Sequence, residues 1–118
     1  MRRTSFRPER IGELIRQTVA AFLTGDVRDP RIGFVTVTGV EVSADLAHAA
    51  VRVSVMGSDD EKARSLEGLA SAAGFLRAQL ARQLALRTTP ELRFQLDRGL
   101  EHAQQIDRVL KELKEPDA

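Results

Sequence analysis

The sequence predicts an α+β domain in which helices pack on a three-stranded sheet. Two periodicities carry this expectation. Apolar residues recur at helical spacing in residues 8–24, from residue 58 to about 86, and again from Leu100 to Leu113, whereas residues 34–55 and 92–96 alternate as strands do. A third observation marks the boundary between them: Ser58-Asp59-Asp60-Glu61 has the S-x-x-E form of a capping box, with acids where a helix N-terminus is positive.

The first helix presents Ile11, Leu14, Ile15, Val19, Phe22 and Leu23 on one side, with Pro8 suited to its first turn and Gly25 to its exit. Pro30 biases Asp29 away from helix in the loop that follows. Phe34 to Val42 is rich in β-branched residues, and the apolar phase shifts from Val35 and Val37 to Val40 and Val42 across Gly39, as a bulge there would produce. Ala47, Ala49, Val51, Val53 and Val55 then alternate with His48, Arg52 and Ser54. The short connection Ser43 to Leu46 makes the two strands an antiparallel hairpin. Leu92, Phe94 and Leu96 form the third strand. A terminal helix from Leu100 to Leu113 precedes a frayed tail at residues 116–118 of one 118-residue domain.

The long middle helix contains a misfit. Leu66, Leu69, Ala70, Ala73, Leu76, Leu80 and Leu84 share one stripe, but Phe75 points away from it and Arg77 falls inside it, both beside Gly74. A kink at Ala72-Ala73-Gly74, dividing the helix into two angled pieces, lets Phe75 pack and turns Arg77 outward. The alternative is a continuous helix with Phe75 on a neighbour and Arg77 reaching to water.

Charge is nearly balanced, at 18 bases against 17 acids, and 15 of the bases are arginine. Its distribution is uneven. Residues 1–36 hold seven bases and four acids and residues 63–100 hold six and three, whereas residues 37–62 and 101–118 are net acidic. Arg2, Arg3, Arg7 and Arg10 form one cluster; Arg77, Arg82 and Arg87 recur at five-residue intervals in a stretch, Gly68 to Pro90, without an acid. These seven arginines are the candidate contacts to RNA phosphates, which supply affinity and salt dependence but little sequence choice. For any one of them a solvated helix face is the simpler account.

Catalytic chemistry has no anchor here. The absence of cysteine excludes disulfides, thiolate nucleophiles and cysteine-based metal sites, and fits an intracellular, cytoplasmic setting. His48 and His102 stand outside any metal-binding spacing, and Asp59, Asp60 and Glu61 are explained by capping. No phosphate loop, dinucleotide fingerprint or nucleophile elbow is present, so no cofactor, metal or small-molecule substrate is expected. The apolar runs fall far short of the roughly 20 residues that span a bilayer. Of the five phenylalanines, Phe22, Phe94 and Phe34 read as core and Phe6 as exposed, which weakens any model based on base stacking.

The order helix, strand, strand, helix-break-helix, strand is that of a type II KH domain, but the G-x-x-G loop between its helices is replaced by Ala72-Ala73-Gly74. With that substitution the chain resembles the ribosome-binding factor A family. The resemblance rests on Asp29 to Ser43 followed by Asp45-Leu46, on Val51 to Gly57, on Ser71 to Arg77, and on Leu86 to Phe94 with Asp97. Ala50 and the low lysine count depart from the family's pattern. The resemblance implies a type II KH-like domain with an Ala-x-Gly interhelical kink. It also implies a non-catalytic factor that binds the free small ribosomal subunit and assists late processing of 16S rRNA near its 5′ end, in a family linked to growth in the cold. A monomer is expected. A protein-interaction module acting on ribosomal or stress-response proteins without direct RNA contact is the alternative, and a small hydrolase or nuclease with an unrecognised site is a third reading.

Overall fold

The computed structural model describes residues 7–25, 28–84, 89–97 and 99. Its elements are α1 (Pro8–Thr24), β1 (Val35–Val42), β2 (His48–Val55), α2 (Asp59–Gln83) and β3 (Glu91–Leu96). The sheet order is β1-β2-β3, antiparallel between β1 and β2 and parallel between β2 and β3. The terminal helix expected from Leu100, the tail at 116–118, and Arg2, Arg3 and Arg87 lie outside the described residues.

One face of the sheet builds the core. Ala49, Val51, Val53 and Val55 of β2 and Leu92 of β3 pack with Ile11, Ile15 and Val19 of α1 and with Leu69, Leu76 and Leu80 of α2. The opposite face carries His48, Ser54, Arg93 and Gln95 into solvent. The bulge falls where the phase change placed it, between Val37 and Gly39. Arg52 lies across from Gly39 and pairs with Glu41 at 2.9 Å; a Cβ at Gly39 would come within 2.6 Å of the Arg52 guanidinium. The hairpin connection closes with Leu46 at φ 62°, while Asp45 accepts from the Ser43 hydroxyl and the Ala47 N–H. Those two donors hold the Asp45 carboxyl below its ordinary pKa, the hydroxyl contributing more.

Both halves of the capping box form: Glu61 N–H donates to Ser58 Oγ at 3.2 Å, and Ser58 N–H to Glu61 Oε1 at 2.7 Å. From there α2 has no non-helical residue between Asp59 and Gln83, so no loop divides it at Ala72-Ala73-Gly74, the place where the sequence predicts an angle between two pieces. The physical reason is that Gly74 is flanked by good helix formers, so its cost of about 1 kcal/mol relative to alanine is absorbed without a break. Phe75 is left 56% exposed, with its ring centroid 6.0 Å from that of Phe22.

The buried stripe of α2 also includes Ser65 and Gly68, which hydropathy does not mark. They receive the loop before β1. Ser65 Oγ accepts from Gly33 N–H at 3.1 Å and donates to Arg31 O at 3.3 Å, Ile32 lies against Gly68, and Arg31 Nη2 reaches Ser71 Oγ at 3.0 Å. Within the loop, Arg31 grips Asp29 through Nε at 3.0 Å and Nη2 at 2.7 Å. Chiefly through the guanidinium, and then the Arg31 N–H, the Asp29 pKa is held down to about 2 from 3.8. A carboxyl with a lowered folded pKa contributes stability above its unfolded pKa, and that contribution is lost as pH falls toward 2. An NMR titration of the Asp29 carboxyl should therefore give a midpoint of about 2 in the native chain. In Arg31→Gln it should move up toward the ordinary aspartate value; an unmoved midpoint would refute the assignment of cause.

Candidate nucleic-acid interface

Arginines separate into those engaged at home and those left available. Arg16 is held by Glu13, whose pKa is lowered to about 2, first by the Arg16 bond and then by that of Gln17. Arg31 is held by Asp29 and Arg52 by Glu41. Arg77 donates through Nε and Nη2 to the Thr89 carbonyl at 3.0 and 2.7 Å, tying the middle of α2 to the approach to β3. Arg7, Arg10, Arg64 and Arg82 make no side-chain hydrogen bond or ion pair with another described residue.

The tertiary fold brings three of these together. Helix α1 runs antiparallel to the second half of α2: Phe22 meets Phe75, while Arg10, Leu14 and Gln17 share a depression of about 260 Å³ with Gln83 and Leu84. Arg7, the residue before α1, and Arg10, in its first turn, therefore stand at the same end of the molecule as Arg82. The five-residue spacing of Arg77 and Arg82 does not make a stripe. At about 3.6 residues per turn they point about 140° apart, and Arg77 faces β3 instead.

On that side lies a groove of about 360 Å³ between α2 and β3, bordered by Ala73, Gly74, Arg77, Arg93 and Phe94. Ala72 and Ala73 are half-buried and Gly74 is exposed, with nothing within 4 Å of where its Cβ would be. Small residues here leave the helix backbone open to solvent at Gly74. Arg93, on the exposed side of β3, was not singled out from the sequence, although its alternation with Leu92 and Phe94 places it there. Its Nη2 lies 3.7 Å from Glu91 Oε1.

Two phenylalanines also fall differently from expectation. Phe34 is 81% exposed, not core, because Val35 takes the inward position of β1. With Phe75 partly exposed, aromatic surface for a partner exists after all. Among the described residues there is no cluster of three or more His, Cys, Asp or Glu able to hold a metal, and no helix long and apolar enough to cross a membrane.

Comparison with known proteins places this geometry. The family model for ribosome-binding factor A matches residues 7–110. A ribosome-binding factor A of Thermomicrobium roseum is 49% identical over 111 residues, covering 94% of this chain and 86% of the relative. The crystal structure of ribosome-binding factor A from Thermus thermophilus superposes with a TM-score of 0.66 at 26% identity, covering 78% of this chain and 97% of that one. A homology model of the Thermus thermophilus factor, fitted into a cryo-EM map of its complex with the 30S subunit, superposes with a TM-score of 0.59 at 27% identity, over 75% of this chain and 92% of that one. The α+β arrangement is thus the KH-like fold that the sequence predicts.

Proposed function

Because this chain belongs to the ribosome-binding factor A family, we propose that it binds the free small ribosomal subunit and assists late maturation of 16S rRNA, including processing near its 5′ end. It acts as a cytoplasmic monomer and a single domain, without catalysis, cofactor or small-molecule substrate. The observation that carries this reading is the likeness to a factor fitted into a 30S complex. Arg7, Arg10 and Arg82 support it, since they offer charge to RNA phosphates at one end of the domain. Arg2, Arg3 and Arg87 extend the same proposed contact set, with Arg77 holding the chain before β3 while it borders the groove. Binding then favours one conformation of an immature subunit over others, which shifts a population rather than breaking a bond.

Sedimentation of purified subunits with the chain tests this. Co-migration with free small subunits, weakening as salt rises and absent with assembled ribosomes, is expected. Migration at the top of the gradient at low salt, or equal binding to assembled ribosomes, would count against it. Incubation with precursor 16S rRNA and magnesium should leave the RNA intact, and cleavage would revive the nuclease reading. In the cold, cells lacking the factor should accumulate precursor 16S rRNA. The reading as a protein-interaction module keeps one observation in its favour, the exposed Phe34 and Met56.

A further inference from the structure

Phe34 and Met56 are the two most exposed large apolar side chains among the described residues, at 81% and 74%. They are neighbours. Met56 N–H donates to Phe34 O at 3.1 Å, which extends the β1-β2 hairpin by one more cross-strand pair beyond Val35 and Val55. Both lie just beyond the strand ends, next to Val35 and Val55, which pack in or against the core. Both border a notch of about 210 Å³ against the first turns of α2, together with Glu61, Arg64 and Ser65. The core does not need this apolar surface, because both side chains lie outside it.

The charge around the pair differs from that around Arg7, Arg10 and Arg82. Asp59 and Asp60 follow Met56 closely in the chain and are exposed, and Glu61 adds a third carboxylate. Arg31 is neutralised by Asp29, so Arg64 and Lys62 are the cations left nearby. Along the 25 residues of α2 this end lies roughly 37 Å from the arginine-bearing end. Glu61 and Arg64 line the notch itself, and with Asp59 and Asp60 on the adjoining turn the carboxylates outnumber Lys62 and Arg64, so the patch disfavours phosphate and favours a basic protein segment. Phenylalanine, methionine and arginine at the centre with a charged rim is also the composition of protein–protein interfaces.

We propose that Phe34 and Met56, with the acidic first turn of α2 beside them, form a docking surface for a basic protein segment that inserts an apolar side chain into the notch. Resting on the reading that the small subunit is the partner, the inference makes that segment part of a small-subunit protein. The domain is then bipolar, with its arginine end on rRNA and its apolar, acidic end on protein.

The test uses the full chain with p-benzoylphenylalanine in place of Phe34 or, separately, Met56, bound to purified small subunits and irradiated. A covalent adduct with a basic subunit protein is expected from both positions, and none from the control position Gln95, exposed on β3 at the other edge of the sheet. An adduct with 16S rRNA, or retained binding with no adduct, would overturn the proposal. In parallel, Phe34→Ser with Met56→Ser should weaken subunit binding about tenfold while the circular dichroism spectrum stays unchanged; unaltered affinity would overturn the proposal as well. Failure of the unsubstituted chain to bind subunits would instead remove the reading on which the proposal rests, so the two failures are separable.

Discussion

Gly68→Ala is expected to destabilise the domain by about 1–2 kcal/mol, while Gly74→Ala, further along the same helix, is expected to stabilise it by up to about 1 kcal/mol. The chemical change is identical, and the surroundings decide its sign. A Cβ at Gly68 would come within 2.6 Å of Ile32 Cγ1 and 3.3 Å of Asp29 Oδ2, so the loop before β1 must move off α2. That displacement strains the bonds of Ser65 to Gly33 and Arg31, which outweighs the helix propensity gained. At Gly74 a methyl meets nothing, so only the propensity gain remains. Urea denaturation of both variants checks the pair, and a shared sign would contradict the packing argument. Gly74→Ala should in addition weaken subunit binding despite its stability, because the methyl raises the floor of the groove beside Arg77 and Arg93.

Arg7→Gln, Arg10→Gln and Arg82→Gln together should weaken binding to the small subunit by about tenfold or more at about 100 mM salt. They should also flatten its dependence on salt by about one unit of slope for each phosphate that is no longer neutralised. Folding stability should change little, since none of the three side chains has a described partner to lose. Arg77→Gln is the informative contrast. It removes two bonds to the Thr89 carbonyl, so its effect should appear in stability and in the placement of the chain before β3 as well as in binding. Equal affinity of the triple variant across a salt series would remove the phosphate-contact reading.

Much of the fold was legible because its signals are local. The capping box at Ser58 and Glu61, the exit of α1 at Gly25 and the phase change at Gly39 each involve residues within a few positions of one another, and all three stand in the structure. Phe34 was legible too, since the same alternation that turns Val35 inward turns its neighbour out; its hydrophobicity masked that signal. Ser65 and Gly68 were not, because a small or polar residue on a helix gives no periodic mark of burial. They become buried only when the loop of Asp29 to Gly33, distant along the chain, lies on them.

The candidate site divides along the same line. Sequence alone determined the types and order of the five described elements, the family and the existence of two basic regions, because periodicity, caps and composition are properties of neighbouring residues. Only the tertiary structure decided which arginines are already engaged. Asp29, Glu41 and the Thr89 carbonyl occupy Arg31, Arg52 and Arg77, and the antiparallel packing of α1 on α2 gathers Arg7, Arg10 and Arg82 at one end. Pairing depends on distances between side chains that the chain's order does not encode locally, so the charge a partner meets is set by packing.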